Sequence, residues 1–376
     1  MATSISQSFK HAMYNAEITG WGKCMPPARL TNHDLSTFLD TSDEWISSRT
    51  GIKERCVSHV DIAELAATAG LQALAAAGLK AEQLDAIILC TCTPGTSVPS
   101  SASRVQQLLN AEQAAVFDMN AACSGFVYGM QTASALIQTG AMKRILLIGA
   151  ERLTQLLDWT KRDTAVLFGD GAGAVILEAN DQVEKVGFLA AKLGCDSEKR
   201  EILFISDFGT NRKRFSGVDT LYNFQFEGPE IFKRAVKGMG EAASNVLEQA
   251  NIANNELNFI VPHQANLRII DALAKRIDAP YDNIMVNIEK YGNTSAATVP
   301  VALCEALEQG RIKPGDNVLL AAFGAGLTWG AAAIRWGQRV TPIAESDASL
   351  SPCEQTALEI LAPAIKGCQE ARAAEA

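Results

Sequence analysis

The stretch CSGFVYGMQTASALIQTGAMKRILLIGA, residues 123–150, joins a helical pattern ended by glycine to a short apolar strand pattern. A second stretch, NTSAATVPVALCEALEQGRIKPGDNVLLAAF at residues 293–323, repeats the same plan. In both copies 17 positions separate the first residue from the glycine that ends the helix (123 to 140 and 293 to 310). A weaker similarity joins EQLDAIILCT to NELNFIVPHQ. The pattern predicts that the chain consists of two copies of one structural unit.

Helical and strand patterns alternate along the chain. For instance, GFVYGMQTASALIQTG is typical of a helix and RILLIGAE, which follows it, of a strand. Such alternation indicates an α/β layered fold. We divide the chain into an N-terminal half at 1–182, a C-terminal half at 183–337 and a C-terminal extension at 338–376.

The repeat also pairs individual residues of the two halves. Cys90 falls opposite His263, an offset of 173 (263 minus 90), and Cys123 falls opposite Asn293, an offset of 170 (293 minus 123). Cys123 and Asn293 are therefore expected to start equivalent helices. Packing of two related halves would bring their equivalent ends close together, where a shared site would form.

Composition and charge restrict the class of function. A formal net charge of −9 over 376 residues argues against general binding to nucleic acid or a membrane surface, although a local basic patch could still receive an acidic partner. The N-terminus has no apolar secretory segment, so a cytoplasmic protein is expected. Nine scattered cysteines without a C-x-x-C pair indicate reduced thiols rather than a disulfide framework or a zinc site.

Two further stretches could mislead. Residues 317–336 are nearly uncharged over the length of a membrane span, but the glycines in GAGLT predict two buried strands with a tight loop between them. The GDGAG run at 169–173 resembles part of a nucleotide loop, yet AVILEA after it predicts a strand, whereas nucleotide motifs open a helix. Neither stretch is interpreted as a membrane anchor or a cofactor site.

Three residues could carry chemistry. Cys123 precedes a helix, and a helix N-terminus lowers the pKa of a thiol and so favours the nucleophilic thiolate. His263 ends an apolar strand, and Asn293 follows a glycine before a helix. Each residue alone has an ordinary structural interpretation: a buried cysteine, a core histidine and a helix N-cap.

In this order and spacing, AACSGF, PHQANLRII, GNTSAATVP and AAFGAGLTWGAAAIRW closely resemble the β-ketoacyl-acyl-carrier-protein synthase III enzymes of the thiolase superfamily. The likeness extends from about residue 17 to 336 and includes LDTSDEWISSRTGIKER and RDTAVLFGDGAGAVIL. It implies a thiolase-like five-layered αβαβα fold built from two duplicated halves, and a Cys-His-Asn site formed by Cys123, His263 and Asn293.

The resemblance implies a two-step reaction that initiates fatty-acid synthesis. Cys123 takes the acyl group from an acyl-CoA, and malonyl-acyl carrier protein then loses carbon dioxide while His263 and Asn293 donate hydrogen bonds to its thioester carbonyl. Backbone N–H groups of Cys123 and Ala325 would form the oxyanion hole of the acyl-cysteine step. Alanine at 325 suits that role provided that its φ is negative. No metal or redox cofactor is implied.

Further site residues follow from the same resemblance. Trp45 and Arg162 would sandwich the CoA adenine, Arg49 would lie near the phosphates, and Asn266 would hydrogen-bond the pantetheine arm. Core packing of Trp45 and a local turn contact of Asn266 are the structural alternatives. Docking of the acidic acyl carrier protein is assigned to a basic cluster. Its members are Lys233, Arg234, Arg268 and Lys275.

The sequence departs from the family pattern in two places. Val98 stands where short-chain members carry a phenylalanine that reaches into the partner subunit's acyl pocket, so primers longer than acetyl are expected. Leu153 and Phe168 are the other predicted pocket residues. The second departure is the extension, where Ser351, Pro352 and Glu354 predict the start of a helix whose last residues, QEARAAEA, should fray.

Three classes of function remain open at this point. The primer-condensing enzyme of fatty-acid synthesis is favoured. A related enzyme of secondary metabolism that condenses or transfers acyl groups is the alternative. A noncatalytic homologue is disfavoured because Cys123, His263 and Asn293 are all present. The resemblance also implies a homodimer.

Overall fold

The computed structural model describes residues 14–181, 186–206 and 223–375. Its strands are β1 (Asn15–Cys24), β2 (Ala28–Thr31), β3 (Glu54–Val57), β4 (Ala86–Cys90), β5 (Ala115–Met119), β6 (Arg144–Arg152), β7 (Asp170–Asn180), β8 (Gly187–Cys195), β9 (Leu203–Ser206), β10 (Asn223–Phe226), β11 (Phe259–Pro262), β12 (Asn317–Gly324) and β13 (Thr328–Arg335). Its α-helices are α1 (Asn32–Ser36), α2 (Asp43–Thr50), α3 (Ile62–Ala77), α4 (Ser101–Leu109), α5 (Gly125–Gln138), α6 (Arg162–Ala165), α7 (Gly228–Gln249), α8 (Leu267–Arg276), α9 (Ile288–Tyr291), α10 (Thr298–Glu308) and α11 (Ala357–Glu375).

The structure is built around two main sheets with similar topology. The first has the strand order β1-β7-β6-β4-β5, and the second has the order β8-β13-β12-β11. β4 pairs in parallel with β6, as β11 does with β12. The next pair in each sheet, β6 with β7 and β12 with β13, is antiparallel. Ile284 forms a parallel bridge to Ile260 of β11, at the position that β5 holds beside β4. The predicted duplication is confirmed.

The apolar residues of the helices form three buried clusters that define the layers. Helices α5 and α10 pack between the two sheets through residues such as Phe126 and Leu303. Helices α3 and α4 cover the outer face of the first sheet, and α7 and α8 cover the outer face of the second. The predicted five-layered αβαβα arrangement is confirmed, and burial of these clusters supplies most of the stabilising free energy.

Both central helices begin with a 3-10 turn, at Ala122–Ser124 before α5 and at Ser295–Ala297 before α10. These two turns pack against each other at the centre of the molecule. A β-carbon at Gly149 of β6 would lie 2.3 Å from the Ala296 carbonyl oxygen, so glycine is required for the second turn to rest on that strand.

The detailed pairing of the halves differs from the sequence prediction. The two 3-10 turns are 173 positions apart (295 minus 122), the same offset as Cys90 to His263. Cys123 is therefore the counterpart of Ala296, and Asn293 lies two residues before its turn. The prediction went wrong because α10 is three residues shorter than α5, and the loop after α10 restores the offset.

The two misleading stretches form strands, as predicted. The GDGAG run begins β7, and residues 317–336 contain β12 and β13. No helix within the described residues is long and apolar enough to cross a membrane. The boundary placed between residues 182 and 183 lies outside the described residues.

The C-terminal extension lies along the body of the protein. Ile343 N–H donates to the Ala76 carbonyl oxygen at 3.0 Å, and the His59 ring donates from Nε2 to the Ser351 carbonyl oxygen at 2.8 Å. Helix α11 begins at Ala357 rather than at Ser351. Its start is fixed by a reciprocal cap, in which Thr356 N–H donates to Glu359 at 2.7 Å and Glu359 N–H donates to the Thr356 hydroxyl at 3.2 Å.

The last turns of α11 do not fray as predicted. The helix continues past Pro363 to Glu375. Cys368 is 6% exposed and packs near Leu157, while Arg372 donates two hydrogen bonds to the buried Asp158 carboxylate at 3.1 and 2.5 Å. These contacts fasten the helix to the segment between β6 and α6.

Candidate active site

Cys123 lies in the middle of the 3-10 turn that precedes α5. The residue before it, Ala122, has a φ of +48°, a left-handed conformation that is uncommon for a side chain other than glycine and is often found at functional sites. A β-carbon at Gly324 would lie 2.7 Å from the Cys123 nitrogen, so the end of β12 passes close to the nucleophile's backbone. The thiol is half-buried and lines a cavity.

His263 follows the last residue of β11 and is 2% exposed. Its backbone N–H donates to the Ala321 carbonyl oxygen at 2.7 Å, and its Nδ1 lies 2.6 Å from the Thr298 hydroxyl oxygen. That hydroxyl also lies 2.9 Å from the Ser295 carbonyl oxygen. Burial lowers the pKa of His263 to about 3, so the imidazole is neutral at physiological pH.

Asn293 is held by its backbone and by its side chain. Its N–H donates to the Leu167 carbonyl oxygen at 2.9 Å, and its carbonyl oxygen accepts from Gly169 N–H at 3.1 Å. Its Oδ1 accepts the Ser295 N–H at 2.8 Å. Because this bond fixes which end of the amide is oxygen, the remaining Nδ2 group is a donor, and Asn293 lines the cavity.

Cys123, His263 and Asn293 line one cavity of about 520 Å³, as predicted for a shared site. The volume is in the usual range for a pocket that encloses a small organic ligand. The wall is largely apolar, with six phenylalanines, Phe168, Phe204, Phe224, Phe226, Phe232 and Phe323. Leu153 and Phe168 lie in this wall, and the Phe168 and Phe224 rings are 5.2 Å apart. The arrangement places one nucleophile and two polar groups in the wall of a largely apolar cavity.

The state of the thiol differs from the sequence expectation. Burial raises the pKa of Cys123 to about 12, and this outweighs the lowering by a hydrogen bond with the Ser295 hydroxyl. The nearby Glu151 carboxylate raises the pKa further, and the Cys123 N–H lowers it. The helix N-terminus therefore does not produce a resting thiolate, and the sequence expectation of a lowered pKa is wrong.

Ala325 also lines the cavity, in the turn between β12 and β13. Its φ is not positive, which satisfies the condition set for a backbone donor at this position. The Thr328 hydroxyl lies 3.0 Å from both the Ala325 and the Ala121 carbonyl oxygens and thereby ties this turn to the nucleophile's turn.

Of the predicted CoA residues, Trp45, Arg49 and Asn266 line the cavity, and Arg162 contacts Trp45 from outside the lining. The guanidinium carbons of Arg49 and Arg162 lie 4.5 and 4.4 Å from the centre of the Trp45 ring, one cation–π contact each. Arg162 also donates to the Asp40 carbonyl oxygen at 2.7 Å. Since Arg162 rests directly on Trp45, an adenine between them would have to displace the guanidinium.

Asn266 adopts the structural role that was considered as its alternative. It caps α8, since its Oδ1 accepts the Arg268 N–H at 2.9 Å, and its Nδ2 donates to the Arg49 carbonyl oxygen at 3.1 Å. It also lines the cavity. One N–H of the amide remains for a ligand, so a contact with a pantetheine arm would add to the cap rather than replace it.

Val98 does not lie in this cavity. It is 88% exposed, in the loop between β4 and α4. The predicted role of residue 98 concerns the acyl pocket of a partner subunit, so it stays a prediction. A role at the pocket end could arise only across a contact between two chains.

Comparisons with known proteins agree with this geometry. Residues 117–197 match the family model of 3-oxoacyl-[acyl-carrier-protein] synthase III, and residues 247–336 match the model of its C-terminal part. A relative from Vibrio cholerae serotype O1, beta-ketoacyl-[acyl-carrier-protein] synthase III 2, is 57% identical over 94% of this chain and 97% of its own length. The chain belongs to the β-ketoacyl-acyl-carrier-protein synthase III family.

Other synthase III proteins match the body of the chain. The synthase III of Roseiflexus castenholzii is 46% identical over 85% of this chain and 98% of its own length. The crystal structure of the Aquifex aeolicus 3-oxoacyl-[acyl-carrier-protein] synthase III covers 85% of this chain and all of its own, with a TM-score of 0.80 and 43% identity. About 15% of the present chain thus has no counterpart in these two synthases.

The predicted carrier-protein cluster is only partly exposed in this synthase III. Lys233 on α7 is 75% exposed and Lys275 on α8 is exposed. Arg234 pairs with Glu230 at 2.9 Å and with Asp196, so its charge is largely neutralised. Arg268 lines the cavity and donates to the Ser48 carbonyl oxygen at 2.9 Å. The structure thus leaves Lys233, Arg268 and Lys275 exposed, whereas Arg234 is half-buried.

Sequence reasoning missed three residues of the site, Ser295, Glu151 and Thr298. Ser295 hydrogen-bonds the thiol and donates from Oγ to Glu151 at 3.0 Å, and Thr298 contacts the imidazole. The sequence signal for Glu151 was a single acid at the end of the apolar run ILLIGAE. Within the described residues no cluster of histidine, cysteine, aspartate or glutamate could hold a metal ion.

Proposed function

We propose that this synthase III catalyses the decarboxylative Claisen condensation of an acyl-CoA primer with malonyl-acyl carrier protein. The product is a 3-oxoacyl-acyl carrier protein, and the reaction initiates fatty-acid synthesis. The observation that carries the proposal is that Cys123, His263 and Asn293 line one apolar cavity of about 520 Å³ in a member of this family. The proposed chemistry uses thiol, imidazole and amide groups, and no metal or redox cofactor takes part.

In the first half-reaction Cys123 attacks the primer thioester. A bond forms between Sγ and the acyl carbon, the bond from that carbon to the CoA sulfur breaks, and the CoA leaves as a thiol after gaining a proton. The Cys123 and Ala325 N–H groups stabilise the tetrahedral oxyanion. Trp45, Arg49, Arg162 and Asn266 hold the CoA at the mouth of the cavity.

In the second half-reaction the malonyl thioester carbonyl accepts hydrogen bonds from His263 Nε2 and Asn293 Nδ2. These bonds stabilise the enolate formed as carbon dioxide leaves, and the carbanion attacks the acyl-cysteine. For neutral His263 to donate from Nε2, its Nδ1 must be unprotonated and accept the Thr298 hydroxyl proton. The Thr298 hydroxyl has one proton and two acceptors within reach, Nδ1 at 2.6 Å and the Ser295 carbonyl oxygen at 2.9 Å, and the proposal requires that the proton be donated to Nδ1.

We propose that the primer is longer than acetyl. Leu153 and Phe168 belong to the largely apolar wall of the cavity, with the Phe224 ring 5.2 Å from that of Phe168. Each further methylene buried there is worth about 0.8 kcal/mol of transfer free energy. A wall of this kind favours linear or branched apolar chains over the two-carbon primer.

Partners follow from the exposed surfaces. Lys233, Arg268 and Lys275, which are exposed, are proposed to contact the acidic acyl carrier protein together with the half-buried Arg234. A homodimer is proposed through β5, an edge strand of the first sheet whose Ala115 is exposed. All nine cysteines are free thiols, which fits the proposed cytoplasmic location.

Mass spectrometry of the intact protein after incubation with a panel of acyl-CoAs tests the proposal. We expect one acyl mass on the Cys123 peptide, strongest for primers longer than acetyl. Cys123→Ser should lose this mass because a serine hydroxyl is a far weaker nucleophile than a thiolate. Cys195→Ser, which removes an exposed thiol outside the cavity, should keep it.

The second half-reaction is tested with His263→Ala and Asn293→Ala. Both should still gain the acyl group but release carbon dioxide from malonyl-acyl carrier protein roughly 10²–10³ times more slowly, the usual cost of an oxyanion donor. Carbon dioxide release at the wild-type rate in both variants would contradict the proposed donors. Acylation of a residue other than Cys123 would contradict the assigned nucleophile.

A further inference from the structure

The C-terminal helix α11 packs into the same apolar cluster as part of the cavity wall. Its residues Ala357 and Leu361 are each 1% exposed. They belong to a buried cluster that also contains Leu153 and Phe168 of the cavity wall, and Trp45 is packed against this cluster. The extension is therefore continuous with the packing that supports one side of the cavity.

One ion pair joins α11 to the turn that precedes α6. Arg372 donates from Nε and Nη2 to Asp158 Oδ2 at 3.1 and 2.5 Å. The Asp158 side chain is 0% exposed, whereas that of Arg372 is 36% exposed. Burial acts to raise the pKa of Asp158, but hydrogen bonds from Thr160 and Arg372 outweigh it and hold the pKa below its usual value. Loss of the guanidinium would leave this buried carboxylate without its cation.

Asp158 in turn fixes the backbone that leads to Arg162. Its Oδ1 accepts the Thr160 N–H at 3.0 Å and the Thr160 hydroxyl at 2.6 Å, and its carbonyl oxygen accepts the Lys161 N–H at 3.0 Å. Arg162 is the first residue of α6 and follows this turn directly. Its guanidinium carbon lies 4.4 Å from the centre of the Trp45 ring. A short path of hydrogen bonds and adjacent residues thus joins α11 to the Trp45 contact.

We propose that Arg372 is a positioning residue for CoA binding: through Asp158 it holds the turn that places Arg162 beside Trp45. The inference rests on the proposed function, in which Arg162 and Trp45 contact the adenine of an acyl-CoA. The base can enter between them only if the Arg162 side chain moves. The backbone that carries this side chain must then stay in place for the guanidinium to stack on the other face of the base. The contacts of α11 with the turn supply this fixed backbone.

The composition of CoA separates this role from a general effect on folding. An acyl-CoA is an acyl-pantetheine joined to a phosphorylated adenosine, so acyl-pantetheine presents the same thioester without the adenine. It cannot use the contact between Arg162 and Trp45. Loss of the Arg372 anchor should therefore weaken the use of acyl-CoA and spare that of acyl-pantetheine, whereas damage to the cavity would weaken the use of both.

The test measures acylation of Cys123 by mass at increasing concentrations of each thioester, below the melting temperature of every variant. For Arg372→Ala, the acyl-CoA concentration that gives half of the maximal rate should rise about tenfold, within the range of one cation–π contact, while the maximal rate is unchanged. Both values for acyl-pantetheine should equal those of the wild type. Arg372→Lys keeps a cation and should recover part of the loss. Lys366→Ala, at a side chain 76% exposed on the same helix, is the matched control and should change neither substrate.

A double-mutant cycle tests the route through Arg162. Arg162→Ala removes the guanidinium that Arg372 is proposed to position, so adding Arg372→Ala should weaken the use of acyl-CoA no further. Arg372→Gln, which keeps most of the length of the side chain, takes the place of Arg372→Ala if that variant does not fold.

The outcomes are distinguishable. Unchanged kinetics in Arg372→Ala, equal losses with the two thioesters, or additive losses in the double variant would each overturn the positioning role while leaving the proposed function intact. A wild type that uses acyl-CoA and acyl-pantetheine equally well would also overturn it, since there would be no adenine contact to position. A wild type that never acylates Cys123 would overturn the proposed function itself.

Discussion

The buried His263 should make the protein sensitive to mild acid. An exposed histidine has a pKa of about 6.5, whereas burial lowers that of His263 to about 3 in the folded protein. The folded value is the lower one, so the unfolded chain binds the extra proton. The contribution of His263 to stability is therefore complete above pH 6.5 and is lost as the pH falls from 6.5 toward 3.

The magnitude follows from the shift. Within this window each fall of one pH unit lowers the free energy of unfolding by about 1.4 kcal/mol. The unfolded and folded pKa values of His263 differ by 3.5 units (6.5 minus 3), so the full loss is at most roughly 5 kcal/mol. Two units below the unfolded pKa, at about pH 4.5, the loss is roughly 2.7 kcal/mol. Carboxylates also titrate there, so the histidine's share must be isolated by comparison with a variant.

The assay is urea unfolding at pH 7.5 and pH 4.5, at one protein concentration, for the wild type, His263→Gln and His33→Gln. Glutamine is neutral at both pH values. Between pH 7.5 and pH 4.5 the free energy of unfolding of His263→Gln should therefore fall by roughly 2.7 kcal/mol less than that of the wild type. The exposed His33 is the control, and its variant should behave as the wild type does. Equal losses in the wild type and His263→Gln would refute the neutral, buried imidazole.

Three further predictions follow from particular contacts. Thr298→Val removes the hydroxyl that lies 2.6 Å from the imidazole, so condensation should slow about tenfold while acylation changes little, and Thr298→Ser should restore it. Arg372→Ala leaves the buried Asp158 without two donors and should lower the melting temperature, whereas Lys366→Ala, at a side chain 76% exposed on the same helix, should not. Val98→Phe should reduce kcat/KM for long primers relative to acetyl-CoA if a partner chain places residue 98 at the pocket end, and an unchanged ratio in competition assays would exclude this.

Much of the fold could be predicted because its signals are local. The helix and strand patterns at 123–150 and 293–323 depend on hydrophobic periodicity and terminal glycines, and the structure has these elements. Cys123 and His263 could be identified because each stands where a strand ends or a helix starts. Their convergence required only that two related halves pack face to face.

Features that depend on distant contacts were missed or mispredicted. The Ser295–Glu151 contact joins residues 144 positions apart and requires that the turn before α10 rest on β6. Residues 351–354 have the pattern of a helix start, but the Ser351 carbonyl oxygen accepts a hydrogen bond from His59. The helix begins instead at the next capping pattern, at Ala357. The prediction that the helix N-terminus lowers the pKa of Cys123 failed because burial, which the sequence does not quantify, raises that pKa by more.

The extension separates this synthase from the shorter relatives. The Vibrio cholerae protein matches 354 of 376 residues, so at most 22 (376 minus 354) lie outside the match, fewer than the 39 residues of 338–376. That relative therefore shares at least part of the extension, whereas the Roseiflexus castenholzii protein leaves 15% of the chain unmatched. Helix α11 is hydrogen-bonded to the segment between β6 and α6, which includes the cavity residue Leu153, and Arg162 on Trp45 follows directly after it.

The duplication accounts for the geometry around the thiol. Ala122 and Ser295 occupy equivalent positions, 173 apart (295 minus 122), and both have left-handed backbones, with φ of +48° and +50°. In the first half this turn presents the next residue, Cys123, to the cavity. In the second half the same turn presents Ser295 itself to Cys123, because the two turns pack against each other. The same strained turn thus occurs in both halves. The copy in the first half supplies the nucleophile, and the copy in the second half supplies its hydrogen-bond partner, so both halves are needed to form this pair.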